Sequence, residues 1–104
     1  MKYITQETKQ LLEERGIFIF SHSNSIRQDD VIHYLREEFG YIIDVRFTNF
    51  GYKYSFSSPH YYALIFKKNS TTFMKEVPEW SNDYYDMAEF AIRAALELIH
   101  NKRK

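Results

Sequence analysis

The sequence predicts an α+β domain of two layers, with helices packed on one face of a three-stranded antiparallel β-meander, in the order α-(β)-α-β-β-β-α. Three observations lead there. Apolar residues recur at spacings of three and four over 5–15, 25–40 and 83–100, the period of a helix with one buried side. Between 41 and 66 the period falls to two, as in strands with one buried face. Finally, 104 residues suffice for one core and not two, so 1–104 is a single domain, with the basic tail 101–104 expected to be disordered.

The first helix spans 5–15. Ile4, Leu11 and Leu12 fall on one side and Glu7, Lys9, Glu13 and Glu14 on the other, and Gly16 suits the left-handed C-terminal position. Ile17-Phe18-Ile19-Phe20 is a four-residue apolar β-former, too short for the sequence to decide whether it adds a fourth strand. Ser25-Ile26-Arg27-Gln28 matches a capping box, with Ser25 as N-cap and Gln28 reaching back. Asp29 and Asp30 then sit where the helix dipole favours carboxylates. Val31, Ile32, Leu35 and Phe39 form the apolar stripe of this second helix, and Gly40 ends it.

The strands follow. Tyr41, Ile43, Val45 and Phe47 alternate with Ile42, Asp44, Arg46 and Thr48; Tyr52, Tyr54 and Phe56 alternate with Lys53, Ser55 and Ser57; Tyr62, Leu64 and Phe66 alternate with Tyr61, Ala63, Ile65 and Lys67. Residues 68–80 read as a connector with short extended pieces, limited by Pro78. Asp83 or Asn82 caps the last helix, whose Ala88, Ala91, Ile92, Ala95 and Ile99 let it approach a sheet closely.

Composition excludes several classes. There is no Cys, hence no disulfide framework, thiolate metal site or cysteine nucleophile. The longest apolar runs are far short of the roughly 20 residues of a membrane helix, and the N-terminus turns polar too early for a secretory signal. A cytoplasmic protein with no membrane partner is the expectation. The four histidines, His22, His33, His60 and His100, lack a second ligand at i+3 or i+4, so no metal or other cofactor is expected. No nucleophile elbow, phosphate loop or glycine fingerprint is present. The acidic pairs Glu13-Glu14, Asp29-Asp30 and Glu37-Glu38 lie on helix surfaces or first turns, where adjacent side chains diverge. Asp44 and Arg46 share a strand face and are expected to form a surface ion pair. No catalytic residue is assigned, and the chain is expected not to be an enzyme.

Net charge is zero, yet the charges are segregated. Residues 1–40 carry a net −2, residues 41–75 a net +4, residues 76–100 a net −5, and the tail +3. The sheet is therefore read as basic and aromatic, since ten of the nineteen aromatic residues lie between Phe39 and Phe66. Phe50-Gly51-Tyr52-Lys53-Tyr54 resembles the aromatic strand motif of RNA-recognition domains, but Tyr52, Tyr54 and Phe56 share one parity, as core-facing aromatics do. Only Tyr61 then stands out as an outward aromatic. Residues 26–100 have the element order of double-stranded RNA-binding domains, and Ser58-Pro59-His60, Phe66, Ala88, Ala91, Ala94 and Ala95 resemble that family's loop and final helix. That family starts the helix with lysines that grip phosphates, where this chain has Asp83-Tyr84-Tyr85-Asp86-Met87-Ala88-Glu89.

A broader resemblance lies in the helices. Asp30-Val31-Ile32-His33-Tyr34-Leu35-Arg36-Glu37-Glu38-Phe39-Gly40-Tyr41, and Tyr85-Asp86-Met87-Ala88 with Ala91, Ala94, Ala95, Leu96, Leu98 and Ile99, resemble small uncharacterised proteins of Bacteroides-type gut bacteria and their phages. The resemblance implies a phage or accessory-gene origin and no particular chemistry. The resulting expectation is a non-enzymatic domain that binds a protein partner or itself, as a homodimer, through a sheet face bearing Arg46, Lys53, Tyr61 and Lys67 beside Asp44 and Thr48. The alternative is a nucleic-acid-binding module using residues 41–75 and the tail.

Overall fold

A computed structural model describes residues 2–48 and 59–99. The elements run α1 (Gln6–Glu14), α2 (Gln28–Phe39), β1 (Tyr41–Thr48), β2 (His60–Lys67), β3 (Phe73–Glu76) and α3 (Tyr84–Leu98). This is the expected α+β arrangement, with three helices and a three-stranded antiparallel sheet ordered β1-β2-β3. The tail 101–104 lies outside the described residues.

Local chemistry sets the helix ends. Thr5 caps α1, its hydroxyl accepting the Thr8 N–H at 3.2 Å. Gly16, at φ 83°, turns the chain so that the Ile17 N–H bonds Leu12 O at 2.9 Å. Ile17 is thereby driven into the core. No strand forms over 17–20. Its residues instead make tight turns, with Ser21 N–H on Phe18 O and Ser23 N–H on Phe20 O, and Phe18 and Ile19 are left exposed. Four apolar residues held by local turns, with no strand alongside to complete a ladder, have no reason to extend.

The capping box at Ser25–Gln28 is not made either. Arg27 occupies the N-cap of α2 without a side-chain capping bond, its guanidinium donating instead to Asp30. The Gln28 side chain turns inward and donates to Glu89 Oε1 and to Tyr85 O, both at 2.9 Å. Two buried acceptors outcompete a solvent-exposed cap. Gly40 ends α2 at φ 74°, as expected, and Asp83 caps α3 by accepting from the Tyr85 and Asp86 N–H groups.

The sheet departs from the predicted meander in which segments supply it. β1 pairs along its whole length with His60–Lys67, from Tyr41 opposite Lys67 to Thr48 opposite His60. The strand predicted over 52–57 lies outside the described residues. The third strand comes from the segment read as a connector. Asn69 takes φ 68°, a conformation asparagine tolerates, and Ser70 N–H bonds Lys67 O, turning the chain back along β2. A bulge beside Ile65 and Phe66 shifts the register so that Phe66 faces Phe73 and Leu64 faces Glu76.

Helices α2 and α3 cover one sheet face, and α1 packs on α3. The core joins Ala63 and Ile65 of β2 to Val31 and Leu35 of α2, to Met87, Ala91, Ile92, Ala95 and Leu96 of α3, and to Leu12 of α1. Among the described residues no helix is long and apolar enough to cross a membrane.

Candidate functional site

Strand register decides which side chains reach the uncovered face. Directly opposed residues of an antiparallel pair point the same way. The pairs Ile43–Ile65 and Val45–Ala63 face the helices. The pairs Ile42–Phe66, Asp44–Leu64, Arg46–Tyr62 and Thr48–His60 therefore form the open face, joined by Phe73 and Glu76 of β3. Phe66 and Phe73 meet edge to face with ring centres 6.4 Å apart. Ile42, Tyr62, Leu64 and Phe66 are half-buried, and Phe73 is exposed. The result is a band of apolar and aromatic side chains across all three strands.

One ion pair crosses this band. Arg46 donates to Asp44 Oδ2 at 2.8 Å and lies over the Phe66 ring, 5.9 Å from its centre. The hydrogen bond to Asp44, and a second with Tyr62, hold the Arg46 guanidinium pKa above its usual value. The expected surface pair is thus present, and the cation is already matched by a carboxylate.

At the β3 side the sheet opens into a groove. The ladder holds where Val77 N–H bonds Ala63 O at 3.0 Å, and closes again where Tyr61 and Ser81 exchange two bonds of 2.6 and 3.2 Å. Between those points β2 supplies only residue 62, while the segment after β3 supplies 78–80. The surplus residues loop outward, and Pro78, which has no N–H to give, sits among them. Trp80 folds back with its ring centre 4.9 Å from that of His60. His60, Tyr62, Glu76, Val77, Pro78, Glu79 and Trp80 line a cavity of about 270 Å³.

The four expected interaction residues do not share a surface. Arg46 is on the open face. Tyr61 and Lys67 are on the helix side: Tyr61 contacts Phe47 and Tyr84, and the Lys67 ammonium reaches Phe39 O and the Tyr41 ring. Lys53 lies outside the described residues. The parity of β2 is the reverse of the expected one because α3 presents Ala91, Ala94 and Ala95, and small Ala63 lets that helix come close. The bulkier Tyr62, Leu64 and Phe66 are left on the open side. The premise that only Tyr61 faces outward is thus corrected.

A second polar site went unread in the sequence. Glu89 of α3, counted there as surface charge, is buried at 7% exposure. Its Oε2 accepts from Thr5 N–H at 2.9 Å, Thr5 Oγ1 at 3.0 Å and Thr8 Oγ1, and its Oε1 accepts from Gln28. The available signal is position: Glu89 lies three residues before Ile92 and seven before Leu96, on the buried stripe. With both oxygens occupied by donors, this carboxylate fastens α1 and α2 to α3. Among the described residues no group of three or more His, Cys, Asp or Glu is placed to hold a metal ion.

No family model, curated protein or solved structure matches the chain.

Proposed function

We propose that this chain is a non-enzymatic protein-interaction domain that docks a partner protein on the open face of its sheet. The observation that carries the reading is the band formed by Ile42, Tyr62, Leu64, Phe66 and Phe73, uncovered by the three helices. Contiguous apolar surface rimmed by polar groups marks protein contacts, and aromatic side chains dominate their energetics. Charge favours protein over nucleic acid. Among the described residues Asp44, Glu76 and Glu79 border the band, Arg46 on it is paired with Asp44, and Lys67 and Lys75 stand on the opposite side of the sheet. A polyanion needs several free cations on the face it meets.

The test compares the full chain with Leu64→Thr and Phe66→Thr, substitutions that place a β-branched, strand-favouring residue at these positions. Affinity capture from cell lysate and light scattering after gel filtration are read beside thermal unfolding. The expected result is a protein partner, or a second copy, bound by the parent chain and lost from both variants with the unfolding midpoint little changed. Partner binding indifferent to both substitutions overturns the reading. So does retention of RNA or DNA at about 50 mM salt, the low end for electrostatic binding, if Phe66→Thr abolishes it.

A further inference from the structure

We infer that the outer edge of β1 pairs with the same edge of a second copy of this chain, antiparallel and in one register centred on Val45. This goes beyond the docking reading above and does not rest on it. Among the described residues the sheet order is β1-β2-β3, so β1 has a strand on one side and none on the other. The edge suits pairing. Tyr41–Thr48 contains no Gly or Pro, and its register with β2 is unbroken from end to end. Its Ile, Val, Phe and Thr residues favour extended backbone. Natural sheets blunt an exposed edge with short strands, prolines, bulges or repelling charges. The other edge is blunted so: β3 has four residues, and Pro78 follows it closely. The charges of β1 are Asp44 and Arg46, and they are opposite in sign.

Those two charges select the occupant and the register. A two-fold axis that relates the two edges reverses the strand and puts both helix layers on the same side of the joined sheet. With the axis at Val45, Asp44 of each copy stands opposite Arg46 of the other, on the open face. Opposite charges on opposed residues attract and like charges repel. An axis at Asp44 sets two carboxylates against each other, and an axis at Arg46 sets two guanidiniums. The pair within each chain, 2.8 Å between Arg46 and Asp44, stays intact. A carboxylate accepts several hydrogen bonds and a guanidinium donates five, so each Asp44 bridges its own Arg46 and that of the second copy. On the helix side the same register sets Phe47 against Ile43 of the second copy. Phe47 points to the covered side of the sheet yet is 56% exposed, and this contact covers it. The product is one sheet with three strands from each copy and β3 at both ends, a closed dimer.

Sedimentation equilibrium of the full chain over a dilution series, read beside thermal unfolding, tests this. The expected result is a monomer–dimer equilibrium. Asp44→Lys raises the dissociation constant about ten-fold or more, because both symmetry-related pairs turn from attraction to repulsion. Asp44→Arg combined with Arg46→Asp reverses every pair and returns the constant to within about three-fold of the parent. The chain has no cysteine, so Val45→Cys introduces a single thiol at the axis. Opposed residues stand about 4.5–5.5 Å apart at Cα, within reach of a disulfide, and mild oxidation links the two copies. Phe47→Cys does not link them, since its copies stand roughly 13 Å apart along the strands. A monomer at every concentration overturns the inference, as does a dimer indifferent to Asp44→Lys, or Phe47→Cys linking as readily as Val45→Cys. A dimer lost from Leu64→Thr and Phe66→Thr but kept in Asp44→Lys places the contact on the open face and overturns the edge. A dimer kept in Leu64→Thr and Phe66→Thr and lost in Asp44→Lys supports the edge, and the docking face is then judged by the captured partner alone.

Discussion

At residue 89 a carboxylate sits where helical periodicity alone would place an apolar side chain. Burying an ion is costly unless donors surround it, and Glu89 collects them from two separate segments, Thr5 and Thr8 at the start of α1 and Gln28 at the start of α2. The donors are neutral, so the arrangement is a hydrogen-bonded clasp and not a salt bridge. Glu89→Ala leaves buried hydroxyl and amide groups without a partner and opens a small void. The expected outcome is a loss of about 3 kcal/mol in denaturant unfolding, from the cost of unsatisfied buried polar groups and the strength of bonds to charged acceptors. Glu89→Gln, which exchanges one acceptor oxygen for a donor, falls between the two. The clasp was not legible in the sequence because its members stand 61 to 84 positions apart. The sequence marks Gln28 only as the returning half of a capping box with Ser25, a box that does not form, and nothing local points to Glu89.

At the scale of elements, the helices were legible and the sheet only in part. Gly40 and Asp83 announce the ends of α2 and α3 by chemistry that acts within four residues. The alanines of α3 likewise declare its contact face. Ala91 and Ala95 are fully buried against the sheet and its neighbours. Ala95→Leu forces a larger side chain into that seam and is expected to lower stability by about 1–3 kcal/mol, read as a shift in the denaturant midpoint. Strand β2 was harder because both parities are apolar: Tyr61, Ala63 and Ile65 on one side, Tyr62, Leu64 and Phe66 on the other. Alternation cannot choose a face for such a strand. Bulk suggests the wrong one, since the helix needs the small residue opposite it. That single inversion moved Tyr61 and Lys67 off the candidate site and brought Tyr62, Leu64 and Phe66 onto it. Strand β3 was legible only as a short extended piece of the connector 68–80 and not as the third strand, because it has four residues, no clear alternation, and a bulge that breaks what pattern there is.

Across the whole molecule, the basic stretch of 41–75 did not become a basic open face, because among its described residues Arg46 lies on that face while Lys67 and Lys75 lie on the helix side. Titration behaviour is also set by packing over distance. Burial, followed by the nearby Glu38, raises the Tyr34 phenol above its ordinary value of 10.0; burial, followed by Asp29, does the same for Tyr84. In the folded chain these phenols keep their protons to higher pH than in the unfolded chain. Their contribution is therefore level below about pH 10 and is lost as pH rises past it, where the unfolded state ionises first. The expected measurement is an unfolding midpoint unaffected by these groups at neutral pH and falling in the alkaline range. The fall becomes shallower in Tyr34→Phe, which keeps the ring against Phe20 and Phe39. The outward loop at 78–80 also bears on how copies of this chain coexist in solution. A sheet with an aromatic face and a straight free edge is a template for fibre growth, each copy adding a strand to the last. Here the third strand runs for only four residues before the chain swings away, and the proline in the swing offers an incoming backbone no donor. The detour thus denies the β3 edge the length on which an aggregate could nucleate there.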